Sequence, residues 1–417
     1  FIYYRGDMMR IIEKQQEAIR KIKEGKNLSL VSEAGTGKSW VVNQVKTENT
    51  VIISPTGIAA LAVGGVTAHS AFALPIGYPE AKDWERIKPE MKDLFGKHSS
   101  IDRIILDEAY MLLGYNLDII DHKLKKIRKN KLPFGGIQVV AVGDPLQLEP
   151  IVKTQEKSII SQHYKSPFIF DSNSYDFDIV EMTEVVRQSD EYQVKLLQNI
   201  RRGLDVRDTL EAIKALSKPY ENSADTLHLC GFNADADYIN KHWFSTIKGK
   251  QQVFMGKGND KIYPIDKQLK LKIGCKVIIC ANDTEGTYVN GSRGTIKDFH
   301  PEGVYVLLDD GTEVLVTETT WDEYGLSSVD GQIVKTVKSR YTQIPIKLGW
   351  AISTHRSQGQ TLDGAAIHTG RGLFSAGQAY VAMSRVKDLR KLSFVNPMTP
   401  KDVIVNKMVM EWLGGLK

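Results

Sequence analysis

The sequence predicts an α/β protein with a doubly wound parallel sheet and a later return of α/β texture, and three observations carry that expectation. A short β-prone run at residues 28–31 enters the loop Ser32-Glu33-Ala34-Gly35-Thr36-Gly37-Lys38-Ser39, which opens into the helix-compatible Trp40-Val41-Val42. Further apolar runs at 51–54, 103–106 and 137–142 alternate with helical stretches and end in polar residues, the pattern of parallel strands joined by helices. After a region of short β runs and Asp-Gly turns, the same texture returns beyond Ile344-Pro345, which marks a second α/β domain.

The elements follow in order. Met8, Ile11, Ile12, Ala18, Ile19 and Ile22 repeat at helical spacing on a leading helix that also holds Gln15, and Gly25-Lys26-Asn27 stops it. The loop that follows fits the end of a phosphate-binding pattern. Gly35 and Gly37 let backbone N–H groups turn toward phosphate oxygens, and the helix behind them adds its positive dipole end. Lys38 would reach β- and γ-phosphates and Ser39 would hold Mg²⁺. Ser32 stands where the pattern expects its first Gly.

The 51–54 strand leads to Pro55-Thr56-Gly57 and then to Val63-Gly64-Gly65-Val66-Thr67-Ala68-His69-Ser70-Ala71-Phe72. Thr, Gly, His and Ser at a strand's C-terminal end suit phosphate contacts; Phe72 fits a core equally well. Pro75, Gly77, Pro79 and Pro89 break residues 74–99, with Trp84 and Phe95 among charges, so this reads as an excursion from the first domain. The 103–106 strand ends in Asp107-Glu108. There the first carboxylate would bind Mg²⁺ and the second accept a proton from attacking water. Six basic residues between 122 and 131 read as a solvated helix face. The 137–142 strand ends in Gly143-Asp144-Pro145-Leu146-Gln147-Leu148, where a Gln can sense a γ-phosphate.

Glu184-Val185-Val186-Arg187-Gln188 closes the first half, and an amphipathic stretch at 194–202 follows. A strand at 226–229 and a helix holding Asn240 begin the second domain. Between about 281 and 343 the texture is that of a small β insertion of the barrel kind. Gly349 to Leu362 crowds small, polar and His residues onto one segment, Gly377 to Arg385 forms a helix-like stretch, and a terminal helix spans 403–413.

The 417 residues suffice for two or three domains. With 55 Lys+Arg against 50 Asp+Glu the net charge is +5, which permits a polyanionic partner without demanding one. Cys230, Cys275 and Cys280 show no CxxC spacing, so neither a disulfide framework nor a zinc site is indicated and a reducing compartment fits. No apolar run approaches a membrane span, no signal-peptide pattern opens the chain, and no partner-recruiting tail is expected at either end.

Taken together, the ordered stretches resemble a superfamily 1 DNA helicase, and within it the petite-integration-frequency (PIF) family. The likeness rests on residues 55–61, 64–70 and 143–148, Glu184-Val185-Val186-Arg187-Gln188, Thr354-His355-Arg356-Ser357-Gln358-Gly359 and Tyr380-Val381-Ala382-Met383-Ser384-Arg385, and runs from about Gln15 to Val395. The resemblance implies two RecA-like P-loop NTPase domains with ATP between them: residues 1–73 and 100–184, then 185–280 and 344–417. Residues 74–99 would be a small wedge and 281–343 an SH3-like β-barrel insertion. Lys38, Glu108, Gln147, Arg187 and Arg385 would carry catalysis, the two arginines as fingers from across the cleft. Ala34, Gly35, Thr36, Gly37, Ser39, Asp107 and Gly359 would complete the ATP site, with Gln15 reading adenine and Ser39 and Asp107 holding Mg²⁺. Single-stranded, forked or structured DNA would cross Pro55, Thr56, Gly65, Thr67, His69 and Phe72, then Thr354, His355, Ser357 and Gln358. Movement would be 5′→3′, by a monomer inside the cell, in cytoplasm or nucleoid for a bacterial or phage host. A RecD- or Dda-like helicase, or a DNA-stimulated ATPase that clamps without unwinding, are the alternatives. Arg356 stands where the family usually has Lys, and Ser32 where it has Gly.

Overall fold

The computed structural model describes residues 13–33, 35–75, 77–184, 190–263, 265–283, 286–329, 332–358 and 360–416. Helix α1 (Glu13–Lys23) leads into β1 (Leu28–Ser32), and the glycine loop into α2 (Lys38–Val45). β2 (Thr50–Ser54), α3 (Gly57–Ala62), β3 (Val66–Thr67) and α4 (Ala68–Phe72) follow. The 74–99 excursion folds as α5 (Ala81–Glu85) and α6 (Pro89–Phe95). β4 (Arg103–Asp107), α7 (Gly114–Arg128), β5 (Gln138–Gly143), α8 (Thr154–His163) and β6 (Asp178–Met182) complete this lobe.

Its strands pair in parallel in the order β3-β2-β4-β5-β1-β6. Alternation along each strand divides the apolar side chains between two faces. Leu30, Ile52, Ile105 and Val140 join Ala18, Ile22 and Val41 of α1 and α2. Val31, Ile53, Leu106 and Ala141 join Phe72, Leu94 and Leu117 on the other side. Parallel strands with both faces covered leave their C-terminal ends as the exposed polar edge, where ligands of such sheets bind.

In the second lobe come α9 (Glu191–Arg202), α10 (Val206–Leu216), β7 (His228–Cys230) and α11 (Asn233–Thr246). A β-rich region then runs through β8 (Gln251–Met255), β9 (Lys257–Gly258), β10 (Gln268–Lys272), β11 (Lys276–Ile279), β12 (Arg293–His300), β13 (Gly303–Leu308), β14 (Glu313–Thr317), β15 (Thr319–Val329), β16 (Gln332–Gln343) and β17 (Ile346–Leu348). After it, β18 (Ala351–Ser353), β19 (Ala365–His368), α12 (Gln378–Met383), β20 (Leu392–Phe394) and α13 (Lys407–Gly414) close the chain. The parallel sheet here has the order β18-β7-β19-β20.

Three arrangements differ from the reading of the sequence. The antiparallel sheet β14-β13-β12-β11-β17 takes in strands on both sides of the 281–343 window, while β15 and β16 pair apart as a long hairpin joined by β9. Tyr324 and Lys338 of that hairpin share a small cleft with Lys88, Met91 and Leu94 around α6, so it leans on the first lobe. Secondly, α13 packs into the first lobe's core through Val409 and Leu413, and Trp412 stacks on Phe170 at 4.5 Å and 7°. The sequence predicts a terminal helix and assigns it to the second domain; that the first lobe covers it is decided by packing alone. Thirdly, the basic run on α7 is not wholly solvated. Lys123 is fully buried, its Nζ donating to the carbonyls of Phe72 (2.8 Å) and Ala73 (3.3 Å), and burial pulls its pKa down to about 8. Arg128 Nε donates to the Phe95 carbonyl at 2.7 Å, so α7 holds the ends of both α4 and α6. Among the described residues no helix is long and apolar enough to cross a membrane.

Candidate nucleotide site and nucleic-acid face

The phosphate-loop stretch closes between β1 and α2 at the C-terminal edge of the first sheet. Gly35 (φ +83°) and Gly37 (φ +89°) occupy the left-handed region that a Cβ would strain, and Gly37 caps α2. Inside the turn, Thr36 Oγ1 donates to the Glu33 carbonyl at 3.0 Å and lies 2.8 Å from Ser32 Oγ. Gln15 Nε2 donates to the Thr36 carbonyl at 2.9 Å, so α1 braces the loop. Ser32, the irregular residue of the motif, is therefore knitted into the turn by its hydroxyl. A Ser32→Gly protein should keep ATP turnover within about twofold of the parent while losing roughly 0.5–1.5 kcal/mol of stability with that buried hydrogen bond. Matched turnover assays and denaturation curves check this; an unchanged midpoint would mean the bond adds nothing.

Lys38 Nζ lies 2.7 Å from Glu108 Oε1 and 3.8 Å from Asp107 Oδ1. Burial opposes the ammonium charge, but Glu108 and Asp107 outweigh it and its pKa is raised. Burial also raises the Asp107 pKa, against the pull of Lys38. Glu108 itself sits at φ +51°, unusual for a residue with a Cβ, and this turns the chain sharply at the end of β4. Gly143 at the end of β5 makes room for that turn: a Cβ there would lie 3.1 Å from the Tyr110 ring and 3.5 Å from Glu108 Cα. A cation and two carboxylates beside left-handed glycines and a helix N-terminus fit a Mg²⁺-triphosphate; Ser39, exposed at the start of α2, and Asp107 would hold the ion.

Gln147 is buried, and its Nε2 rests on Asp144 Oδ2 at 3.2 Å. Asp144 is gripped from the second lobe by Arg201 on α9, through Nη2 at 2.7 Å and Nε at 3.1 Å. The same guanidinium donates from Nη1 to Glu33 Oε1 at 2.9 Å, and Arg202 reaches Glu33 at 3.3 Å. Side-chain exposure is 0% for Arg201, 2% for Glu33 and 1% for Asp144. Burial raises the Glu33 pKa although both arginines oppose it; for Arg201, burial is outweighed by its two carboxylate partners and the pKa rises. The phosphate-loop turn, the Gln147 segment and the second lobe thus share one buried ionic junction. Sequence reading missed Arg201, because its partners lie 168 and 57 positions away and no spacing links them. The one signal was Glu33, a carboxylate inside a loop expected to attract phosphates.

The lobes meet again at Gln358 Nε2, 3.5 Å from Gln147 Oε1, and at Gly377, where a Cβ would run into the carbonyls of Leu146 and Gln147. Arg385 is buried on the second lobe. Its Nε donates to the Val381 carbonyl at 2.9 Å, its Nη1 faces the carbonyls of Ser357 and Gln360, and its Nη2 donates to Ser384 Oγ at 3.0 Å. Ala34, Arg187 and Gly359 lie outside the described residues.

On the DNA-directed set the structure makes corrections. Phe72 has 0% exposure and stacks on Phe95 at 5.0 Å and 15°, so it belongs to the core and offers DNA nothing. Thr354 and Ser357 are buried, with hydroxyls donating inward to the Cys230 and Thr354 carbonyls. Thr56 and Thr67 cap short helices through Ala59 N and Ser70 N. Gly65 packs against β2, since a Cβ there would meet the Ile52 carbonyl at 2.5 Å. Pro55 is half-buried. His69 and His355 are half-buried at the polar edges of the two sheets, and burial lowers the pKa of each, so both are neutral near pH 7. Periodicity could not separate these cases, because a buried hydroxyl and an exposed one look alike in a sequence.

Comparison with known proteins gives a consistent answer. The PIF1-like helicase profile matches residues 10–207. The chain is 29% identical to the ATP-dependent DNA helicase Pif1 of Bdellovibrio bacteriovorus, across 96% of its own length and 90% of that protein. With the ATP-dependent DNA helicase PIF1 of Danio rerio it shares 31% identity, and it spans 63% of that longer chain. Among solved structures, Bacteroides sp. Pif1 is 30% identical over 98% of this chain and 97% of that one. The TM-score is 0.88 for its complex with ADP-AlF4 and 0.71 for its complex with single-stranded DNA.

Proposed function

Since this chain belongs to the PIF1-like helicase family, we propose that it is an ATP-driven DNA helicase that moves 5′→3′ along single-stranded DNA and opens the duplex ahead. The observation that carries the reading is the cluster of Lys38, Asp107, Glu108 and Gln147 at one sheet edge, locked to the second lobe through Arg201 and Gln358. In this reading Lys38 leaves Glu108 for the β- and γ-phosphates, and Glu108 is released to accept the proton of the attacking water. Ser39 and Asp107 would hold Mg²⁺, which would supply charge to neutralise the phosphate oxygens. Gln147 turns from Asp144 toward the γ-phosphate, Gln15 reads the adenine, and Ala34 and Gly359 line the nucleotide. Arg187 and Arg385 complete the charge from the second lobe, for which Arg385 must exchange its own lobe's carbonyls for phosphate.

DNA would lie across Pro55, Thr56, Gly65, Thr67 and His69, then across His355 and Gln358, with Thr354 and Ser357 lending backbone. Residues 74–99 would split the strands, and the segment around 281–343 would form the family's SH3-like insertion. The whole-chain match is closer to the DNA-free relative (TM-score 0.88) than to its DNA-bound form (0.71), which supports a rearrangement on gripping a strand. The protein would act inside the cell as a monomer. The test is ATP-dependent separation of a forked duplex bearing either a 5′ or a 3′ single-stranded tail. Unwinding from the 5′ tail alone is expected; unwinding only from the 3′ tail overturns the polarity, and ATP hydrolysis without unwinding would point to a clamp.

A further inference from the structure

The second lobe carries a cluster of planar groups around His355, of which the family reading leaves Phe232, Arg371 and Phe374 without a role. The strands β18, β7 and β19 are adjacent and parallel, so the loops that follow them emerge side by side at one sheet edge. They bring together His355 after β18, Phe232 after β7, and Arg371 and Phe374 after β19. Phe374 stacks on Phe232 with ring centroids 4.5 Å apart and planes at 26°. The His355 and Phe374 ring centroids are 6.1 Å apart with planes at 17°, a looser contact, and the Arg371 guanidinium covers Phe232 at 4.7 Å.

Phe374 is nevertheless 55% exposed. A phenylalanine held in that position forgoes about 1 kcal/mol of burial, and it is held firmly. The fully buried Gln378 accepts from Phe374 N at 3.1 Å through Oε1 and donates to the Gly231 carbonyl at 2.7 Å through Nε2. One glutamine therefore ties together the two loops that carry the two phenylalanines. The stack is prepared in advance, so a ligand loses little entropy in using it. Arg371 is engaged with Asp235 at 3.2 Å, so the patch presents flat π-surface more than net positive charge. A phosphate finds little to bind there; a nucleobase can reach the exposed part of the Phe374 ring.

We propose that Phe374, backed by Phe232 and flanked by His355, is a base-stacking platform for single-stranded DNA on the second lobe. The proposal rests on the helicase reading for the presence of a strand, and adds to it a phenylalanine contact on the second lobe, where none was expected. Stacking is tolerant of sequence, since every base has a π-face, which suits a protein that moves along any strand.

The experiment is equilibrium binding of a fluorescent oligothymidylate to the whole chain, without nucleotide, over a series of salt concentrations. Phe374→Ala should weaken binding roughly 5- to 150-fold, and the slope of log affinity against log salt should not change, because no phosphate contact is lost. Phe374→Trp should restore affinity. Phe374→Leu, which keeps apolar bulk and guards the fold, should fail as the Ala variant does. On an oligonucleotide lacking its bases, parent and Ala variant should bind alike. Parent binding with an Ala variant within twofold overturns the platform and leaves the helicase reading standing. A parent that binds no single strand overturns the helicase reading itself. A Leu variant of full affinity would reduce Phe374 to packing.

Discussion

Replacing Lys38 with Ala is expected to lower single-strand-stimulated ATP hydrolysis by about 10²–10³-fold, the usual loss when one preorganised charge on a transferring group is removed. Both states of the protein contribute. Without nucleotide, Lys38 lies 2.7 Å from Glu108 and 3.8 Å from Asp107, both largely buried. Its loss leaves two carboxylates facing each other in a poorly hydrated pocket, which costs about 1–3 kcal/mol for the unsatisfied partner and removes the charge that opposes the raised Asp107 pKa. A protonated Asp107 is no longer a metal ligand. With nucleotide, the direct charge on the β- and γ-phosphates is gone. DNA binding should persist, because the DNA-directed residues lie at β2, β3 and β18 and none depends on Lys38. Steady-state hydrolysis and oligonucleotide binding on the same preparation decide it. Full turnover would remove the nucleotide site from this loop.

Arg201→Met should be the most destabilising of these substitutions, at about 3–5 kcal/mol, because it leaves Asp144 buried without this counter-charge and Glu33 with only Arg202, at 3.3 Å. Heat unfolding should register it as a midpoint lowered on the order of 10 °C. Arg201→Lys should recover only part of this. A single ammonium cannot fork Asp144 and reach Glu33 together, as the planar guanidinium does at 2.7, 3.1 and 2.9 Å. Because Gln147 rests on Asp144, the Lys variant should also show lowered kcat for ATP, with KM changed less. A Met variant that unfolds within 1 kcal/mol of the parent would show that the junction is energetically idle.

How far the sequence reaches can be followed through particular residues. The strand–loop–helix order around Lys38, the left-handed demand at Gly35 and Gly37, and the Asp107-Glu108 pair at a strand end are local properties. Backbone conformation and charge at neighbouring positions are enough to announce them. The same holds for the return of α/β texture after the β-rich region. Phe72 was ambiguous for a physical reason: an apolar residue one turn past a strand end suits a core and a base equally, and only Phe95 arriving at 5.0 Å decided for the core. Lys123 was placed in water because basic runs normally are; the carbonyls of Phe72 and Ala73, about 50 positions away, drew it inside.

By itself, then, the sequence determined the two α/β lobes, the phosphate loop and its carboxylates, and the order of motifs that marks the family. Tertiary structure alone decided that Arg201 joins Glu33 to Asp144 across the lobes, that α13 returns to the first lobe, and that Phe232, His355 and Phe374 stack at one edge. Periodicity and spacing encode what a segment does with its nearest neighbours. Contacts between residues more than a hundred positions apart are set by where sheets and helices pack, and a one-dimensional pattern carries no trace of that.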